Sequence, residues 1–382
     1  MLIYLSAGEH SGDMHGATLA RELRSLNPGA ALLGMGGPLM RQAGVEILVD
    51  PTAKSTIGFV EALKNLGHYR RLLANVVAAL EKRRPDLVIW IDFGGFNLAL
   101  AKACKRMGIP VLCVFSPSAW AYGSSRAKLM AERITELAAV LPFEADFYRR
   151  YHIKTTFVGH PLVDLVCPNI SPDGFRANLG AGKDDLIIPL LPGSRQNEIR
   201  AVLPVMLSAA AIMTGYGGSF RFLLPLAPSI PLATVRPYIE RSGVKVEVTS
   251  GGAYNALAAG HLAMIASGTA TLEAGIIGTP FITVYRVSSI SFLIYRLLRN
   301  RSDWGKPVLI SLPNLIAGRS LVPELLQKNL NPSSLAAEAG KIIRNSALHA
   351  SMIAGLRETK RALGPPGAMR RVAEIALRLA DH

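Results

Sequence analysis

Leu87-Val88-Ile89-Trp90-Ile91-Asp92-Phe93-Gly94-Gly95-Phe96-Asn97 reads as a short apolar strand that ends in a carboxylate and turns, through two glycines, into a helix. The same succession recurs along the chain. In the first half, strands are expected at Leu2–Leu5, Ala31–Leu33, Leu87–Ile91, Val111–Phe115 and Ala138–Leu141. In the second half, they are expected at Leu186–Leu191, Phe220–Leu224, Val244–Val248, Leu262–Ala266 and Phe281–Tyr285. Each is followed by a turn residue and a helical pattern, the signature of parallel sheets joined by crossover helices. The fold class is α/β. Between the two series, Val158-Gly159-His160-Pro161-Leu162 punctuates the chain with glycine and proline. The expected division is 1–160 and 161–365, with 366–382 a final helix packing back on the first domain. Two Rossmann-like domains facing a central cleft would bind ligand at the carboxyl ends of their strands.

Length and composition agree. A chain of 382 residues exceeds what one core serves, and 50% hydrophobic against 18% charged residues excludes disorder. No run reaches the roughly 18 uncharged apolar residues of a spanning helix, and Met1 leads straight into a strand with no basic leader. A cytoplasmic location is expected. Cys104, Cys113 and Cys167 have neither metal-ligand spacing nor the even count of a disulfide framework, and read as packing residues in a reducing compartment. The net charge of +15 calls for an anionic partner: nucleic acid, a membrane surface or a phosphorylated substrate. Nucleic acid is disfavoured because the basic residues are scattered and aromatics are only 7%.

Four loops carry chemistry. Ala7 to Gly16 follows a strand and opens a helix, so its amides can face an anion; alternatively Ser11 or Asp13 simply caps that helix. Asp92, at the carboxyl end of a strand and beside glycines, suits a general base, with helix capping as the competing reading. Leu191-Pro192-Gly193-Ser194-Arg195 puts an arginine, which grips phosphate through a bidentate fork, beside loop amides. Ser267-Gly268-Thr269-Ala270-Thr271-Leu272-Glu273 opens a helix where pyrophosphate would meet the amino terminus and Glu273 would accept from ribose hydroxyls. A capping box, with Thr269 or Ala270 near the cap and Glu273 reaching back, is the alternative. His10, His15 and His160 form no ligand cluster, and His160 reads as a hinge residue.

These blocks, together with Ser116-Pro117-Ser118-Ala119-Trp120-Ala121, Leu141-Pro142-Phe143-Glu144, Val158-Gly159-His160 and Leu312-Pro313-Asn314-Leu315-Ile316-Ala317-Gly318-Arg319, resemble the lipid-A-disaccharide synthase family in order and over nearly the whole chain. The resemblance implies a GT-B type inverting transferase needing no metal and no cofactor. It implies transfer of the diacylglucosamine unit of UDP-2,3-diacylglucosamine to the 6-hydroxyl of 2,3-diacylglucosamine 1-phosphate, giving a β(1→6) disaccharide 1-phosphate and UDP. By position, Asp92 matches the family's proposed base. Arg195, Ser267, Gly268, Thr269, Glu273 and Asn314 match its UDP side, and Glu9, Ser11, Gly12 and Asp13 match its cleft loop. Two stretches depart: relatives carry Ala-Pro-Asp where this chain has Phe93-Gly94-Gly95, and Trp-Ala-Trp-Arg where it has Trp120-Ala121-Tyr122-Gly123.

Acylated substrates imply a membrane. Ile57–Leu73 mixes apolar and basic residues at helical spacing, and with the +15 charge it points to peripheral docking on an anionic inner-membrane surface; packing on its own domain is the alternative. Val287–Arg299 is either buried core or an interfacial segment. The resemblance also permits a homodimer. Two other readings stand beside it: another UDP-sugar enzyme of this architecture, such as a peptidoglycan-type transferase or an epimerase, and a non-catalytic basic binding protein.

Overall fold

The computed structural model describes residues 1–51, 66–122, 125–286 and 309–381. The stretch 287–299 and the first nine residues of 57–73 lie outside them. The described chain forms two compact units, 1–161 with 363–381 and 162–286 with 309–362.

The first unit is one parallel sheet: β1 (Leu2–Ala7), β2 (Ala31–Met35), β3 (Glu46–Val49), β4 (Leu87–Ile91), β5 (Val111–Val114), β6 (Glu136–Ala139) and β7 (Thr155–Phe157), in the order β3-β2-β1-β4-β5-β6-β7. The second repeats the plan with β8 (Leu186–Leu191), β9 (Phe220–Leu226), β10 (Val246–Ser250), β11 (Ala263–Ala266), β12 (Phe281–Tyr285) and β13 (Glu324–Leu326), in the order β10-β9-β8-β11-β12-β13. All pairings are parallel. Each order reverses once, between β1 and β4 and between β8 and β11, the doubly wound arrangement of dinucleotide-binding folds. Pro189 sits inside β8 and has no amide to donate, so β8 pairs with β11 only past it, at Leu190 and Leu191.

Three strands, β3, β7 and β13, were not among the expected ones; their apolar runs are short, at most Ile47-Leu48-Val49 in β3. All three are sheet edges whose residues are at most half-buried. An edge strand with one side in water needs no continuous apolar sequence. The central strands are buried throughout, and Trp90, Tyr4 and Phe222 are among the largest fully buried side chains.

The helix Leu66–Arg83 turns Leu72, Val76 and Leu80 into the first unit's core while Arg70 and Arg71 stay exposed. Over its described part, the apolar face of 57–73 is therefore spent on its own unit.

The chain re-enters the first unit at Leu363, whose carbonyl accepts from the His160 amide at 2.9 Å. Arg371 Nε donates to the Val158 carbonyl at 2.8 Å, and Nη1 and Nη2 of the same guanidinium reach the carbonyls of Pro366 and Pro365. The final helix, Ala368–Ala380, packs on the helix His10–Leu26. Its Arg378 reaches Glu136 in β6 at 3.0 Å, where Lys154 and Thr156 also bind the carboxylate. Burial alone would raise the Glu136 carboxyl, but these three partners outweigh it and hold it below the usual range.

A group depressed in the fold adds stability above its unfolded value and loses it as pH falls through the folded one. Arg378→Ala should cost about 1–2 kcal/mol at neutral pH. That difference from wild type should shrink on acidification below the carboxylate range, as read by denaturant midpoint against pH.

Candidate active site

In the first unit, the carboxyl ends of β1 and β4 meet where the strand order reverses. The residues after β4, Asp92 and Phe93, both adopt left-handed backbone conformations (φ 52° and 54°), which non-glycine residues take only where the surroundings enforce it. The enforcement is visible. The Asp92 carbonyl accepts from Trp90 Nε1 at 2.6 Å and from Asn97 Nδ2 at 2.8 Å, while Ser6 Oγ donates to Asn97 Oδ1 at 2.6 Å. Asn97 thus clamps β1 to the β4 turn from inside the helix Gly94–Met107. A side chain on Gly8 would run into the ring of Phe93, so only glycine lets the two loops close together.

Asp92 is solvent-accessible, and its Oδ1 accepts from the Phe93 amide at 2.8 Å. The protein packed around it withdraws water and lifts its carboxyl above the ordinary value, the Phe93 amide opposing. The result is a strained, rigidly held carboxylate with raised basicity.

The loop after β1 divides in two. Glu9, His10 and Ser11 are exposed at the start of the helix His10–Leu26; Gly12 and Asp13 are buried. Asp13 does not cap its own helix. Its oxygens accept from the amides of Gly37, Leu39 and Met40 at 2.8–3.0 Å, closing the start of the helix Pro38–Gln42. His15 stacks on Phe115 with ring centroids 4.3 Å apart, and desolvation lowers it to about 4. His160 is lowered likewise to about 4, by burial first and by His15 second, so both imidazoles are neutral at physiological pH.

Sequence reading did not single out Glu144 as a site residue, because an acid in a helix's first turn looks like ordinary dipole complementation. Glu144 is 4% exposed, and its Oε1 accepts from Ser116 Oγ at 3.2 Å and Trp120 Nε1 at 3.3 Å, while its Oε2 is buried without a hydrogen-bond partner. Burial pushes this carboxyl up to about 7 against those hydrogen bonds.

In the second unit, a cavity of about 710 Å³ opens at the carboxyl ends of β8 to β11, again where the strand order reverses. Arg195, Ser267, Gly268, Thr269 and Glu273 all line it. The helix Thr269–Ile277 starts at Gly268 with no side-chain cap, and a Cβ on Gly268 would meet open space. Glu273 does not reach back as a capping box. Its Oε1 accepts from Tyr254 Oη at 3.3 Å, and desolvation raises it, with Tyr254 pulling the other way.

The helix cap lies instead at Arg195, where Glu198 Oε2 accepts from the amides of Ser194 and Arg195 at 3.0 and 3.2 Å and Oε1 meets the Arg195 guanidinium, which has no acceptor with which to return the bond. Those amides are occupied, so the helix ends left without a side-chain cap at this cavity are those at Gly268 and Gly252. Asn314 does not line the cavity. It is fully buried, with Oδ1 accepting from Leu321 and Val322 amides and Nδ2 donating to the Val322 carbonyl and Glu324. It fixes the loop leading into β13.

Residues 3–365 match the family model described as lipid-A-disaccharide synthetase. The chain belongs to that family. It is 38% identical over 377 residues to the lipid-A-disaccharide synthase of Myxococcus xanthus and 36% identical to that of Geobacter sulfurreducens, each covering 99% of this chain and 97% of the relative. Among solved structures, a UDP-GlcNAc 2-epimerase from Neisseria meningitidis bound to UDP-GlcNAc aligns with a TM-score of 0.65 at 14% identity, covering 99% of each chain. MurG of Acinetobacter baumannii aligns at 0.60 and 13%, with the same coverage. These likenesses establish the GT-B fold; family membership establishes a glycosyltransferase of lipid A disaccharide synthesis.

Because native Glu144 favours its neutral form, its contribution to stability is complete below about 4.5 and is lost as pH rises through about 7. Glu144→Gln cannot ionise. Its melting temperature relative to wild type should therefore rise steadily between pH 5 and pH 8; a constant difference would contradict the raised carboxyl.

Proposed function

We propose that Asp92 is the general base of the transfer and that the cavity at Gly268 holds the UDP of the donor. The donor is a UDP-linked 2,3-diacylglucosamine and the acceptor a 2,3-diacylglucosamine 1-phosphate, as the family implies. The observation that carries the reading is Asp92 itself, a solvent-accessible carboxylate held in a left-handed turn by two hydrogen bonds to its own carbonyl. A base must be held rigidly within reach of the proton it takes, and burial-raised basicity serves that task.

Asp92 takes the proton of the acceptor 6-hydroxyl as that oxygen attacks the anomeric carbon. The bond to the diphosphate breaks on the opposite face, inverting configuration. Charge on the departing UDP is met by the amides opening the helix Thr269–Ile277 and by Arg195, whose side chain is 80% exposed and free to swing from Glu198. Glu273, already accepting from Tyr254, is placed to receive the ribose hydroxyls. A cavity of about 710 Å³ is within the range that holds ligands of nucleotide size. Ser267 and Thr269 complete its polar wall.

Asp92→Asn should lower UDP release from the two diacylated substrates by about 10²–10⁴-fold while leaving UDP affinity unchanged. In the wild type, kcat/KM should fall as pH drops through a value above the ordinary carboxylate range, since the base must be ionised. A variant that still turns over at the wild-type rate would remove Asp92 from the chemistry.

The membrane is met, in this reading, by exposed basic residues. No helix among the described residues is long and apolar enough to cross a bilayer. With Leu72, Val76 and Leu80 buried, the exposed Arg70 and Arg71 near the start of their helix are left for anionic headgroups. Arg70→Glu with Arg71→Glu should weaken sedimentation with phosphatidylglycerol vesicles by about 30-fold or more at low salt, at about 1 kcal/mol for each arginine lost. Unchanged sedimentation would remove this helix from docking.

A further inference from the structure

The segment Ser116 to Trp120 leaves β5 and packs against the turn that presents Asp92. Its Pro117 touches the start of the next helix so closely that a Cβ on Gly94 would lie 2.9 Å from Pro117 Cγ. The Pro117 carbonyl accepts from Tyr148 Oη at 2.5 Å and from the Ala119 amide at 2.6 Å. At either end of the segment, Ser116 Oγ and Trp120 Nε1 converge on one atom, Glu144 Oε1. Trp120 is also braced edge-on by Phe143, with ring centroids 5.0 Å apart at 82°. Glu144 itself lies on the helix Pro142–Arg149, one turn before Tyr148. That helix therefore holds the segment at three points, and the segment in turn abuts the first residue of the helix that follows Asp92 and Phe93.

We infer that Glu144 is a positioning residue for the transfer: its Oε1 ties the Ser116–Trp120 segment down against the Asp92 turn and so fixes where the base sits. This rests on the reading of Asp92 as base. Glu144 touches no substrate in this account. Its contribution is acceptance of two hydrogen bonds, which a neutral amide oxygen of the same reach also provides, and its second oxygen makes none. The cost of losing the tie is geometric, since a displacement of about 1 Å at a reacting group can cost 10²-fold in rate.

The experiment is steady-state UDP release by the full chain, with UDP affinity measured by calorimetry as a report on the second unit's cavity. Glu144→Ala should lower kcat by about 10- to 100-fold, with the donor KM and UDP affinity within about threefold of wild type. Glu144→Gln should restore kcat to within about threefold. Wild-type kcat in Glu144→Ala, a rise in KM alone, or a glutamine variant as slow as the alanine one would each overturn the assignment. If Glu144→Ala fails to fold, the pair Ser116→Ala with Trp120→Phe removes the same two bonds from the other side. It should give the same loss of kcat, and a wild-type rate there would overturn the assignment. Combination with Asp92→Asn separates the two readings. An active Asp92→Asn sinks the base. With Asp92→Asn inactive, a further loss of the residual rate on adding Glu144→Ala shows that Glu144 does not act through Asp92.

Discussion

Parallel strands must be joined by crossovers, and where the order of strands reverses, successive crossovers leave on opposite faces of the sheet. That reversal is the constraint on which everything else here depends. It leaves a gap at the carboxyl ends of β1 and β4 in one unit and of β8 and β11 in the other. Asp92 and the β1 loop fill the rim of the first gap; Gly193 to Arg195 and Gly268 to Ala270 border the second. Interior residues such as Trp90 do double duty, burying an indole in the core while its Nε1 grips the carbonyl of Asp92.

Around this frame, buried acids divide by the company they keep. Asp13 spends its oxygens on three amides, and Glu136 is surrounded by two cations and a hydroxyl, so both serve as ties within the first unit. Glu144 and Glu273 have few donors and little water, and both are pushed toward their neutral forms. Asp92 stands apart. Water withdrawn from it is only partly offset by one amide, and its side chain still reaches solvent. Acidic side chains thus serve as ties where donors crowd them and are pushed toward the neutral form where donors are few.

The central strands were legible because a strand buried on both faces must be written in consecutive apolar residues; β3, β7 and β13 were not, because an edge has no such requirement. The residues bordering the second unit's cavity, Arg195, Ser267, Gly268, Thr269 and Glu273, could be placed from local order, since a strand, a small-residue loop and a helix start fix their own geometry. Asp13, Asn314 and Glu144 could not. Their partners lie several to nearly thirty residues away in sequence, and nothing in the neighbouring residues tells an exposed acid or amide from one committed to a distant backbone. Arg195 was legible in place but not in its pairing with Glu198, because nothing in the loop's spelling says that Glu198 takes the amides an anion would otherwise meet.

The final helix lies on the helix His10–Leu26, whose Leu19, Ala20 and Leu23 are buried. A ribosome delivers the helix His10–Leu26 well before the helix Ala368–Ala380. At synthesis rates of roughly 5–20 residues per second, the early helix waits on the order of tens of seconds for its cover. The second unit, inserted between them, is finished within that interval and is free to fold first. The first unit is thus completed only after the second, and a chain stalled before Ala368 presents an uncovered apolar face to whatever chaperone or protease reaches it.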